Sequence, residues 1–283
     1  MKQERVGKVT LQYDEHEQAS AQLVMHAVRE TELLLRSHWS LEFPENCRLL
    51  VMTSWSQFMF HAPPWPWRVA LALTLPLWFA RIRAMWSVAG GWTNRFGRRV
   101  AIGVKPPAQL ERSDHRIGER IFVHEEDSQE KVRQITCHEL THAATSALKL
   151  PLWLNEGLAV RAVDHFSGHT TVQSQTLESL RDEKRNPKPL GYRRLQTGDR
   201  DRVVYQFARG YWLTRYLDEN HTDILAHLLS RRHSSSEIEG LLSSALSINT
   251  PDLWPAIDQA LFDHFASADD ELDRYRSLPE TQG

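Results

Sequence analysis

The stretch His138-Glu139-Leu140-Thr141-His142, with Glu156 fourteen residues beyond, constrains this chain more than any other. On a helix of 3.6 residues per turn the two histidines stand about 40° apart, side by side and one turn apart. Glu139 falls at about 100°, on the flank of the same face, where a carboxylate reaches a water but not a shared metal. Leu140, Ala143, Ala144 and Ala147 form an apolar back that can seat on a sheet. Lys149-Leu150-Pro151 ends that helix, and PLWLNEGLA (151–159) begins another. An antiparallel pair of this kind carries the Glu156 carboxylate back over the histidines. Two imidazoles and one carboxylate leave a fourth position open to water, which is how catalytic zinc is held. The expected site is therefore one Zn2+ per chain on His138, His142 and Glu156, with Glu139 as general base.

The remaining pattern predicts an α/β half followed by an all-helical half. VTLQYDE (9–15) alternates as a strand, and 17–38 has apolar residues at helical spacing. Strands are expected at 47–55, 98–107 and 119–126. Helices are expected at 129–149 and about 151–166, then at 203–219, 222–232, 235–246 and after Pro251. The basic, proline-containing stretch 181–202 reads as a loop or linker. The domains expected are thus an N-terminal α/β lobe, 1–150, with an apolar insertion at 63–92, and a helical lobe, 151–283.

HELTH followed by WLNEGLA resembles the gluzincin zinc metallopeptidases, whose third metal ligand is a glutamate on a second helix. The short spacing and the strand–helix–strand opening look most like the smaller thermolysin-like, peptidase MA-like proteins. That resemblance implies an α+β, thermolysin-like zincin of two lobes. It also implies a helix in the second lobe that donates to the oxyanion. VYQFARGYWLTRYL (204–217) is similar to that helix, with Phe207 at the position where the family has a tyrosine. Tyr205 and Tyr211 are the nearby hydroxyls, so both stand as catalytic candidates. Where the family places an acid one turn after the glutamate ligand this chain has Val160, and Asp164 follows one turn later. No G-x-M-E-N-like segment precedes the zinc helix, so the resemblance does not extend to an aminopeptidase. Cys137 lies away from the ligand face and reads as a small buried residue. His165 and His169 read as surface residues of a Gly-Ser turn, and Asn155 as a turn-orienting or substrate-touching residue.

Charge and composition set the outer bounds. A net charge of −2 gives no general electrostatic reason for nucleic acid to be a partner. Two cysteines imply no disulfide framework. The polar opening MKQERVGKVTLQYDEHEQ leads to the expectation of a cytoplasmic chain. Residues 63–92 hold five of the ten tryptophans. The uncharged run Val69 to Ala80 covers about 18 Å as helix, too short for a bilayer core of about 30 Å. A kink is expected at Pro76. Two readings stand for this segment: an interfacial segment on the inner face of a membrane, or an insertion between strands that packs on the lobe or roofs the substrate groove. The expected function is hydrolysis of peptide bonds in a peptide or protein by zinc-activated water; the alternative is a zinc-binding scaffold at a membrane surface with little turnover.

Overall fold

The computed structural model describes residues 1–181 and 199–276. The fold is mixed α+β. The described residues divide into two compact units, one of 1–151 with 158–173, the other of 152–157 with the residues from 174 onward. The expected boundary at 150/151 therefore falls beside a helix whose two ends belong to different units.

In the first unit, strands β1 (Lys2–Val6), β2 (Val9–Tyr13), β3 (Cys47–Val51), β4 (Gly91–Phe96) and β5 (Arg99–Val104) form one sheet in the order β1-β2-β3-β5-β4. The three central strands run parallel, and an antiparallel strand closes each edge. Central strands must be apolar on both faces, and Leu49, Leu50, Val51, Ile102 and Val104 are buried accordingly. The edges are polar. KQERV and GWTNRF carry no apolar alternation, so the sequence pattern did not reveal β1 or β4.

Helix α1 (Gln18–Trp39) packs against α5 (Ser128–Thr145), and α5 lies over β4 and β5 on one face of the sheet. Asp127 caps α5 by accepting from Gln129 N at 2.8 Å. The back of α5 is Val132, Thr136, Cys137, Leu140 and Ala143. Thr136, Thr141 and Thr145 are buried because each hydroxyl donates to the carbonyl four residues earlier. The helix stops at Thr145, four residues short of the expected end, and Ala147 lies beyond it and exposed. Lys149, at φ 54, then turns the chain into α6 (Leu152–Ser167).

Three further expectations are corrected. The strand expected at 47–55 ends at Val51, because Ser54 caps a new helix, α2 (Trp55–His61), by accepting from Gln57 N. Residues 119–126 form no strand; a turn at Gly118–Arg120 leads to a single bridge, Phe122 to Val172. Val123 is half exposed there and β4 already occupies the sheet edge beside β5, so no ladder is open to it. In the apolar insertion, α3 (Trp65–Val88) continues through Pro76 and bends by 67° between Ala80 and Ile82 instead. Pro76 and Ala72, four residues before it, lie on the exposed side, where the carbonyl freed by the proline is not buried. A short α4 (Pro107–Leu110) follows β5.

The second unit contains the first turn of α6, a 3-10 segment at Ser174–Arg181, and helices α7 (Arg200–Asn220), α8 (Thr222–Ser230), α9 (Ser235–Ala245) and α10 (Leu253–Arg276). Most of the expected loop at 181–202, residues 182–198, lies outside the described residues. Helix α7 begins at Arg200, earlier than expected, because the Asp199 side chain accepts from Arg202 N.

Candidate metal centre

His138 and His142 stand on successive turns of α5 with their Nε2 atoms 3.0 Å apart and their rings nearly perpendicular, at 87°. Glu156, in the second turn of α6, is buried. One ligand atom from each of the three lies within 4.8 Å of the other two, so the group can hold a metal ion. The donor set fits such an ion. Two imidazole nitrogens at zinc's ~2.0–2.1 Å bond length and tetrahedral angle sit about 3.3 Å apart, close to the separation found here.

Glu139 is buried beside this group and is held from the sheet side. The β4–β5 register pairs Thr93 with Ile102, which turns Thr93 toward α5. Its Oγ1 donates to Glu139 Oε2 at 2.7 Å and lies 3.0 Å from the Glu139 carbonyl. Next to it Gly91 has no room for a side chain. A Cβ there would stand 2.6 Å from Glu139 Cγ and 2.9 Å from Oε1. Thr93 and Gly91 were not identified from sequence; only the Gly90-Gly91 pair, opening an otherwise polar strand, marks a close approach.

Helix α6 meets α7 through two glycines. A Cβ on Gly157 would stand 2.1 Å from the Gly210 carbonyl oxygen, and one on Gly210 would stand 2.5 Å from the Trp153 carbonyl oxygen. The glycine of WLNEGLA and the glycine of ARGYW are therefore the contact by which two helix backbones touch. Tyr211, the next residue, is buried, and its ring packs edge-on against Trp212. Arg215 is hydrogen-bonded to it.

Tyr205 belongs to a buried cluster. Its hydroxyl donates to Asp258 Oδ2 at 2.6 Å, and Arg209 donates to both oxygens of Asp258 at 2.7 and 2.6 Å and to the Tyr205 oxygen. Burial raises the Asp258 pKa to about 6 against the opposing pull of Arg209. Arg209, beside Gly210, thus ties α7 to α10.

The lesser candidates also find their places. Asp164 is buried. Its Oδ1 accepts from Thr171 N and Thr171 Oγ1, both at 2.7 Å, and this holds the turn after α6. His165 lies within α6, not in the turn, with its ring 4.5 Å from His38 and 5.6 Å from Trp39. His169 is exposed. Asn155 sits in the first turn of α6. Cys137 is fully buried, and that burial pushes its thiol up to about 12. No protein-family model matches the chain, and no curated protein matches it.

Proposed function

We propose that the protein is a zinc metallopeptidase with a thermolysin-like arrangement of its site helices, cleaving internal peptide bonds of a peptide or protein. The observation that carries this reading is the convergence of His138, His142 and Glu156 beside a buried Glu139 that is not one of the three. His138, His142 and Glu156 would hold the ion. A zinc ion held there supplies Lewis acidity toward water and a carbonyl oxygen.

The chain's own residues account for the remaining chemistry. Glu139 accepts the proton of the attacking water and returns it to the leaving amine nitrogen. Thr93 fixes the rotamer of that carboxylate by donating to Oε2, which leaves Oε1 for the water. Tyr205 gives its single proton to Asp258 and so is not the oxyanion donor; Tyr211, the residue after Gly210, is the other candidate. Gly210, beside Tyr211, rests on the α6 turn that precedes Glu156.

The test is turnover of a denatured-protein substrate by the purified chain. Cleavage lost on chelation and restored by zinc supports the proposal. A chain that binds zinc stoichiometrically yet cleaves no member of a broad peptide pool contradicts it.

A further inference from the structure

The acidic residues of this chain are unevenly placed. Between Asn46 and Leu110 there is none, while seven arginines and Lys105 fall in the same 65 residues. With 34 basic and 36 acidic residues overall, the remainder holds 26 basic and 36 acidic, so a local charge of +8 faces −10 elsewhere. This acid-free segment is the part of the first unit that contains α2 and α3.

Strand parity shows where the segment sits. Leu50, Met52, Trp92 and Ala101 face the side of the sheet opposite α5 and form a core cluster with Phe58 and Met59 of α2. Helix α3 seats on that cluster through Leu71, Trp78, Ile82, Met85 and Trp86. Only this narrow arc of the helix is covered. On the outer side Trp65 is 71% exposed, Leu73 78% and Leu77 86%, with Val69 and Phe79 also exposed. A helix seated on a soluble core normally turns charged residues outward. From Val69 to Ala80 this one has none.

A cluster of arginines borders the apolar face. Arg48 and Arg99 lie on the same sheet face as Leu50 and Ala101, at the end of β3 and β5 where α3 begins with Arg68. Among the described residues none of these three arginines has a carboxylate partner. Arg68 donates only to the carbonyls of Pro63 and His61. The pKa of Arg99 is drawn down first by partial burial and then by the positive charge of Arg48 and Arg68. Three unneutralised guanidinium groups beside an exposed apolar helix are complementary to a surface that offers phosphate and hydrocarbon together.

No single helix among the described residues is long and apolar enough to cross a membrane; the arms Trp65–Ala80 and Ile82–Val88 reach that hydropathy only together, across the 67° bend. The first arm spans about 24 Å, and its inner face is already held by the protein core. We propose that the outer face of α3 lies in the headgroup–acyl boundary of an anionic bilayer, with Arg48, Arg68 and Arg99 on lipid phosphates. Tryptophan at the exposed start of the helix suits that depth.

Flotation of the full chain with phosphatidylcholine vesicles, and with vesicles containing roughly one-third phosphatidylserine, tests this. The wild type should float with the anionic vesicles and much less with the neutral ones. Arg48→Gln, Arg68→Gln and Arg99→Gln together should lower partitioning onto anionic vesicles about a hundredfold, at roughly fivefold per charge. Leu73→Ser with Leu77→Ser, both exposed and so harmless to the fold, should abolish flotation while leaving thermal unfolding unchanged. Wild type that remains with the lipid-free fraction under both conditions overturns the proposal. So does lipid-independent self-association that the Leu73→Ser, Leu77→Ser variant removes, since that would identify a second copy of the chain as the occupant.

Discussion

Gly157→Ala should be among the most damaging single-methyl additions in the molecule. The new Cβ would stand 2.1 Å from the Gly210 carbonyl oxygen and 2.3 Å from Thr214 Oγ1, where real contacts stay beyond 3.0 Å. The hydroxyl can rotate away, but the carbonyl belongs to the backbone of α7 and cannot. Helices α6 and α7 must therefore separate locally by about 1 Å, loosening the buried contacts around Trp153 and Tyr211. Overpacking costs about 1–3 kcal/mol, and against backbone the upper end applies. Gly→Ala in a helix returns about 1 kcal/mol, so a net loss of ~2 kcal/mol is expected. Gly240 supplies the control. It lies in the exposed interior of α9 with nothing within 4 Å, so Gly240→Ala should gain up to ~1 kcal/mol. Glu156 is the residue before Gly157, so its displacement should also weaken zinc binding roughly 10-fold. Urea unfolding of both variants, with zinc competition against a chromogenic chelator, measures the two effects. A Gly157→Ala protein as stable as Gly240→Ala, with unchanged zinc affinity, would refute the close helix contact and its role in placing Glu156.

Other expectations follow from the same geometry. Tyr211→Phe should lower kcat about a hundredfold with little change in KM, as expected for a lost oxyanion donor. Tyr205→Phe should instead cost ~1.5–3 kcal/mol of stability by removing a hydrogen bond to the Asp258 carboxylate, with kcat retained. Steady-state kinetics and urea melts on the pair separate the roles, and the reverse pattern would exchange them. Thr93→Val should keep zinc and KM but reduce kcat roughly 10-fold, because the Glu139 carboxylate loses the donor that orients it. Lys105 gives a pH signature. It is buried against the Trp86 ring, with Nζ donating to the Trp86 carbonyl and Ser113 Oγ, and burial pulls its pKa from 10.5 to about 8. Between those values the unfolded chain binds more protons than the folded one, so stability should rise with pH from about 8 to 10.5, by at most ~3 kcal/mol. Lys105→Met should remove that rise in urea midpoints.

The helices that carry His138, His142 and Glu156 were legible from sequence because their chemistry and their periodicity coincide. His138 and His142 need the i,i+4 spacing that only a helix provides, and Pro151 announces the second helix. The long amphipathic α1 and the apolar strands β3 and β5 were readable for the same reason. What the pattern concealed depends on partners distant in sequence. β4 is polar because it is an edge strand, so Thr93 and Gly91 give no local sign that they face Glu139. Tyr205 and Tyr211 are one and a half turns apart on one helix. Asp258, some fifty residues on, takes the Tyr205 proton and sets that tyrosine apart. Helix α3 was ambiguous because an apolar run does not say which of its sides is covered.

Whether Glu139 acts as a base beside a metal held by His138, His142 and Glu156 is decided by comparing two variants with the wild type. Glu139→Gln and His142→Ala are purified with the wild type, and each is assayed for bound zinc and for cleavage of a denatured-protein substrate. Glu139→Gln should keep about one zinc per chain and lose hydrolysis by several orders of magnitude, whereas His142→Ala should lose both. Near-normal cleavage by zinc-loaded Glu139→Gln would rule out Glu139 as the base, and full zinc retention by His142→Ala would rule out His142 as a ligand.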